Sequence, residues 1–374
     1  MSRRRLLTET LPGTFRSSVD DFHVEELPLY APSGTGDHLY VTIRKRGFNT
    51  REVVRRLIDA FGVQETDVGY AGLKDRYATT TQTFSVLAKS DAPLQALEDP
   101  DIAIVSVTRH GNKLRVGHLE GNRFAARIAL GASGLAAATE GLAVLARRGL
   151  PNYFGDQRFG KFGDNAALGR EVLKKGPRAA GGTWKAKLVI SALQSEIFNA
   201  VLDRRMAGLD GPGGDPTGPS LIDLALLGDV LQKTGSHGNF VCTAPDVDAP
   251  RVTAFEISPT GPLPGPKMRG PAPDSFAARS ELAALKDAGL DLRDFDRTRF
   301  AEGARRALRV PVSGPSAEVV GDDLWVHFTL PPGSYATVLI DELLGPREEL
   351  DGDADGSAPE SPLDGDVPAA STEE

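Results

Sequence analysis

"HLYVTIRKR", residues 38–46, sets Leu39, Val41 and Ile43 on one side of an extended chain and Tyr40, Thr42 and Arg44 on the other. Side chains along a strand alternate between faces, so a period of two spells a half-buried strand. The next signal along the chain is helical. Asn49 with Glu52 three residues on has the spacing of a capping box, ahead of Val53, Val54, Leu57, Ile58 and Phe61, and Gly62 closes the run. The two-residue period recurs in "FAARIAL", through Phe124, Ala126, Ile128 and Leu130, and in "DLWVHFTL", through Leu324, Val326, Phe328 and Leu330. A second capping box reads from Ser191 and Gln194, opening a helix that carries Leu193, Ile197 and Val201 on one stripe beside Phe198 and Leu202 and ends in Arg204 and Arg205. Strands and helices mixed without a strict βαβ rhythm imply an α+β fold, its sheet mixed or mainly antiparallel and covered by flanking helices.

Punctuation divides the second half of the chain. "GLDGPGGDPTGPS" at 208–220 and "SPTGPLPGPKMRGPAPD" at 258–274 read as long surface loops, because proline and glycine interrupt both helix and ladder. "GSYATVLIDELLG" reads as a last helix capped by Ser334 and stopped by Gly345 and Pro346.

Bulk properties then limit the function classes. A chain of 374 residues that is 40% hydrophobic suits two domains with real cores. One cysteine, Cys242, excludes an intramolecular disulfide framework and a cysteine-built zinc site, and fits a reducing cytoplasmic setting. The arginines of "MSRRRLLTETLPG" precede only two leucines, and no stretch reaches membrane-spanning length, so the expectation is a soluble protein. The net charge of −8 hides an asymmetry: ten acidic and no basic residues lie in 348–374, which leaves +2 for the rest. That acidic tail, low in bulky apolar residues, reads as disordered and solubilising. Phosphate-loop, dinucleotide, zinc-protease and zinc-deaminase motifs are missing, and the six histidines lack tight ligand spacing.

Asp75 is what remains, in "AGLKDRYATTTQ", residues 71–82. A carboxylate between Lys74 and Arg76 is by itself an ordinary surface triplet. Were the stretch extended, Lys74 and Arg76 would point away from the face of Asp75, and a cation from another segment would be needed to keep a partly buried aspartate ionised. An ionised carboxylate is what a nucleophile requires.

Together with "KLRVGHLEGNRF", "PNYFGDQRFG", "SALQSEIFN", "GDVLQ" and "LPPGSYATVLIDEL", that stretch resembles the ordered motif set of the TruD family of tRNA pseudouridine synthases, from about residue 14 to 345. The resemblance implies a pseudouridine-synthase-type catalytic domain, residues 1–150 and 300–346, interrupted by an inserted α/β domain at 151–299, with the acidic tail at 347–374. It implies isomerisation of uridine to pseudouridine in tRNA, at position 13 in the family's usual substrate, by a monomer without metal or other cofactor. Asp75 matches the catalytic aspartate, acting either on the sugar carbon or on its 2′ proton.

The site residues follow from the same motifs. Asn122 would hydrogen-bond the uracil edge or backbone, with Phe124 as a stacking surface worth about 1–3 kcal/mol per base; a Gly-Asn hairpin turn with a core phenylalanine is the structural alternative. Phe22 and Tyr335 match further substrate contacts. Arg16 is the candidate ion-pair partner of Asp75, with Lys74 in reserve. Arg158 and Lys161 suit either a phosphate contact or an anchored loop between domains. Two competing functions are a catalytically silent RNA-binding relative and a carboxylate hydrolase of another glycosidic bond, which needs a second carboxylate as acid.

Overall fold

The alternation at 38–46 forms the strand it predicts, with Leu39, Val41 and Ile43 at 2%, 0% and 0% exposure. The structure is a computed structural model and describes residues 3–15, 18–97, 99–207, 221–236 and 238–346. They divide into two compact units, one of residues 12–139 and 313–333, the other of residues 3–11, 140–312 and 334–346.

The first unit is built on a sheet whose strands, in chain order, are β1 (Thr14–Phe15), β2 (Phe22–Pro28), β3 (His38–Arg46), β4 (Val68–Tyr70), β5 (Thr79–Leu87), β6 (Ile102–His110) and β7 (Leu119–Ala129), then Ser313–Val320 and Asp323–Leu330. Across the sheet the order is Ser313–Val320, Asp323–Leu330, β7, β2, β5, β3, β6, with β1 on β7 and β4 on β5. Every pairing is antiparallel except β2 with β5. The sheet is therefore mixed, as expected.

Helix α1 (Thr50–Phe61) covers part of one face. Its start is the capping box read from sequence: Glu52 N donates to Asn49 Oδ1 at 2.9 Å and Asn49 N to Glu52 Oε2 at 2.7 Å. Gly62 ends it at φ 61°, a left-handed conformation glycine adopts without a Cβ penalty. Val53, Val54 and Leu57 of α1 pack on Val41, Ile43, Phe84 and Val86, each fully buried aliphatic side chain worth about 1.5–3 kcal/mol.

The second unit packs three helices, Asn165–Lys175, Thr183–Ala207 and Phe276–Asp287, through Val172, Leu193, Ile197, Val201 and Leu285. A four-stranded sheet runs Asn239–Val241, Val230–Lys233, Ile257–Leu263, Ala304–Ala307.

Three local readings change. The helix expected to open at Ser191 begins eight residues earlier, at Thr183, and Ser191 and Gln194 are buried inside it. Their side chains serve tertiary partners: Ser191 Oγ accepts from Arg158, and Gln194 Nε2 donates to the Pro264 carbonyl at 2.8 Å. Residues 258–263 are a buried strand, not loop; Pro259 and Pro262 sit within a ladder that still uses the Pro259 carbonyl, as acceptor for Leu308 N at 2.8 Å. Gly261 there leaves room for the Phe198 ring, 2.9 Å from where a Cβ would stand. The last helix is Ala336–Leu344 with Tyr335 at its N-cap, so Ser334 lies one residue outside the cap position and makes no capping bond. Residues 208–220 and the tail from 347 lie outside the described residues.

Candidate active site

Residues 71–78 connect β4 to β5 without strand structure. Gly72 and Leu73 lead to a reversal of side-chain direction: Lys74 is buried and Asp75 exposed. Asp75 Oδ1 accepts a hydrogen bond from Tyr77 N at 3.1 Å, an Asx-turn bond that fixes the carboxylate relative to its own backbone. The partial burial expected of Asp75 is thus not what the protein shows; Lys74 takes the interior place beside it. Arg76, also exposed, reaches Glu52 of α1 at 3.6 Å.

Lys74 goes inward because a buried carboxylate waits there. Its Nζ lies 2.7 Å from Glu26 Oε2, with side-chain exposures of 6% and 3%. An isolated charge at such depth is costly, and the pair holds because its other bonds are nearly complete. Thr83 N donates to Glu26 Oε1 at 3.3 Å; Gln82 Nε2 donates to the Gly72 carbonyl at 2.5 Å and lies 3.5 Å from Glu26 Oε2. Thr50 Oγ1, at the first turn of α1, donates to Gln82 Oε1 at 2.9 Å and accepts from Lys74 N at 2.8 Å. The entry to the Asp75 loop is therefore fastened to β2, β5 and α1 at once. Lys74, the reserve partner for Asp75, is committed to Glu26.

Lys45 belongs to the same interior. It is fully buried, its Nζ donates to the Phe48 carbonyl at 2.6 Å, and burial pushes its pKa down to about 7, with Lys74 lowering it further and Asp75, Glu52 and Glu26 raising it. Glu26, Gln82 and Lys45 escaped the motif-based reading. The signal was present: position 45 shares its strand face with 39, 41 and 43, and position 26 shares its own with 22 and 24.

The strand β7 brings up Asn122 and Phe124. Asn122 is inside the strand, opposite Glu26 on β2 and Leu330 on the other side, so the hairpin-turn alternative does not apply. Gly121 permits this: a Cβ there would stand 2.6 Å from the Leu330 carbonyl oxygen. Asn122 Oδ1 is buried with no hydrogen-bond partner among the described residues. Phe124 is 7% exposed and Phe22 5%; their rings stack at 5.8 Å, and Phe124 stacks on Phe328 at 5.2 Å. Both rings are core rings in the free protein, with their faces largely occupied.

The remaining candidates separate. Arg16 lies outside the described residues. Tyr335 belongs to the other unit, half-buried, edge-on to Phe154 at 6.1 Å and against Gly155, where a Cβ would approach its ring to 2.8 Å. Arg158 is 5% exposed and bonds Ser191 and, at 3.2 Å, Ser195, so it anchors its loop; Lys161 beside it is exposed.

The opposite face of the first unit's sheet holds an open cavity of about 530 Å³ whose lining includes Arg44, Arg46, Arg123, His23 and His327. Much of its charge is matched locally: Arg46 bonds Asp20 at 2.6 Å and Asp101 at 3.3 Å, and Arg123 bonds Glu25 at 2.6 Å. Asp75 does not line it. Among the described residues no group of three or more His, Cys, Asp or Glu side chains is placed to hold a metal ion, and no helix is long and apolar enough to cross a membrane.

Comparison with known proteins adds to this geometry. The family model described as tRNA pseudouridine synthase D (TruD) matches residues 5–188 and 184–343. The chain is 44% identical over 359 residues to tRNA pseudouridine synthase D of Anaeromyxobacter sp. (strain Fw109-5), covering 94% of this chain and 98% of that protein. It is 40% identical to a protein of the same name from Thermus thermophilus, covering 91% and 92%. A crystal structure of the putative tRNA pseudouridine synthase D from Methanosarcina mazei shares the fold, with a TM-score of 0.74 at 21% identity over 92% of this chain and 97% of that one. With its model matched over nearly all the described residues and relatives this similar along almost their whole length, the chain belongs to the TruD family of tRNA pseudouridine synthases.

Proposed function

We propose that the protein isomerises uridine to pseudouridine in tRNA, at position 13, with Asp75 as the catalytic carboxylate. In that reaction the N1 glycosidic bond breaks, the uracil turns while held, and C5 bonds to C1′. The observation that carries the reading is the setting of Asp75: an accessible carboxylate on a loop fastened by the Glu26–Lys74 pair, with the amide of Asn122 incompletely satisfied opposite Glu26. Accessibility suits a group that must meet a ribose. The loop bonds hold it in place without the substrate, so less ordering is required when the substrate arrives.

Asn122 in this reading hydrogen-bonds the uracil, and the stacked pair Phe22 and Phe124 is the rigid wall that sets its strand. Extracting a stacked base costs a few kcal/mol, which such contacts must offset. Arg16 and Tyr335 are retained as substrate contacts, each with its own alanine variant as test. The catalytic domain is assigned to residues 1–150 and 300–346 and the insertion to 151–299; the enzyme acts in the cytoplasm as a monomer, without metal or cofactor.

The test is direct. Pure protein dialysed against chelator is incubated with unmodified tRNA and the product mapped. Pseudouridine at position 13, formed by the wild type and lost in Asp75→Asn while RNA binding persists, is the expected result. A fully active Asp75→Asn enzyme overturns the assignment of Asp75, and RNA binding without product in the wild type marks a silent relative.

A further inference from the structure

Lys45 is an expensive residue for its position. Its neighbours along the same strand face are Leu39, Val41 and Ile43, so an aliphatic side chain would continue the core. An ammonium offers three donors, and among the described residues the acceptor found is the Phe48 carbonyl at 2.6 Å, with no carboxylate within ion-pair distance. Thr80, directly across the ladder on β5, has a buried hydroxyl that is likewise without a partner. Burying a charge in this way lowers stability, and a group retained at that cost points to a use outside folding.

The charged groups around Lys45 come from three directions. Glu26 on β2 is held by Lys74; Glu52 on α1 is bound to the Asn49 cap and to Arg76; Asp75 comes from the loop, and its attraction on Lys45 exceeds that of either glutamate. Coulomb coupling is reciprocal, so a charge on Lys45 favours the ionised form of Asp75 as Asp75 favours the charge on Lys45.

We propose that Lys45 is a positioning residue for the reaction, a buried cation that holds Asp75 ionised once a uridine covers it. This rests on the reading of Asp75 as the catalytic carboxylate. Substrate excludes water from the carboxylate, which strengthens the coupling. In the free protein burial leaves Lys45 titrating at about 7, so near neutrality part of the population lacks its proton. Binding draws that proton in. Lys45 touches neither base nor ribose and acts through Asp75.

Three measurements test this. In the wild type, kcat/KM should fall as pH rises through about 7, while kcat holds to higher pH, because the first reports the free enzyme and the second the complex. Lys45→Met should lose that separation and lower kcat about tenfold, the worth of one pKa unit, with the affinity for tRNA unchanged. Calorimetry of wild-type binding to unmodified tRNA slightly above neutrality, in two buffers of different ionisation heat, should show net proton uptake that shrinks in Asp75→Asn. The calorimetric arm needs no Lys45 variant, so it decides the matter even where Lys45→Met folds badly. Absence of uptake in the wild type, or a Lys45→Met enzyme with the wild-type kcat and profile, overturns the proposal. An inactive Asp75→Asn beside a fully active Lys45→Met confines the failure to Lys45; an active Asp75→Asn removes the reading beneath it.

Discussion

In the unit built around residues 140–312, buried arginines meet buried carboxylates in forks. Arg205 reaches Asp229 through bonds of 2.6 and 3.0 Å, and Arg305 reaches Glu281 through bonds of 2.8 and 3.1 Å, with further bonds from both guanidinium groups to backbone carbonyls. In the unit that carries Asp75, the buried cations are lysines: Lys74 with one carboxylate contact, and Lys45 with a single carbonyl. The planar fork of arginine matches a carboxylate and satisfies it rigidly, whereas lysine is a point charge whose proton can leave when desolvated. The difference separates charge that fixes a fold from charge kept in reserve. Burial alone does not distinguish them; the count of satisfied donors and acceptors does.

Five experiments put that contrast at risk. Asp75→Asn should reduce the single-turnover rate by about a thousandfold or more, the upper range for one acid or base, while filter binding finds tRNA affinity retained. Glu281→Gln strands the buried Arg305 charge and should cost about 3–5 kcal/mol in denaturant unfolding, yet leave pseudouridine formation intact at low temperature. If it also abolished activity at full stability, the division between the two kinds of charge would fail.

Lys45 predicts a pH effect on stability with a definite sign. Its folded pKa, about 7, lies below the ordinary value of 10.5, so between these the unfolded chain binds more protons than the folded one. Wild-type stability relative to Lys45→Met should therefore rise over that window, on the order of a few kcal/mol, and be flat below it. A difference independent of pH would mean that Lys45 does not titrate there. Asn122→Ala should raise KM or lower kcat about tenfold, the value of one hydrogen bond, with little loss of stability because Oδ1 is already unsatisfied in the free protein. The smallest change is expected from Arg123→Ala on the open face. Its pair with Glu25 is half exposed, and such pairs contribute below about 1 kcal/mol in thermal unfolding.

Much of the architecture was legible where local rules are short-ranged. The alternation in β3 and β7 and the cap at Asn49 each depend on residues within one strand or one turn, and each formed as read. Ser191 failed because a serine three residues before a glutamine specifies a helix start only when its backbone donors are unsatisfied; here the helix already runs through it and the hydroxyl serves Arg158. Residues 258–263 failed because proline bars a donor, not an acceptor, and the ladder needed the Pro259 carbonyl. Phe22 and Phe124 could be named from motif but not weighed, since aromatic residues on adjacent strands look alike whether they face a ligand or each other.

Neighbours along the chain were enough to settle the α+β class, the strand faces, the family and the one carboxylate worth testing, because period and motif are properties of adjacent residues. Folding in three dimensions was needed to turn Lys74 in to Glu26 and Asp75 out, to leave Asn122 with an unmet acceptor, and to bury Lys45 within the field of Asp75. Those are facts about which strands lie side by side and how much water remains between them, and no local spacing encodes either.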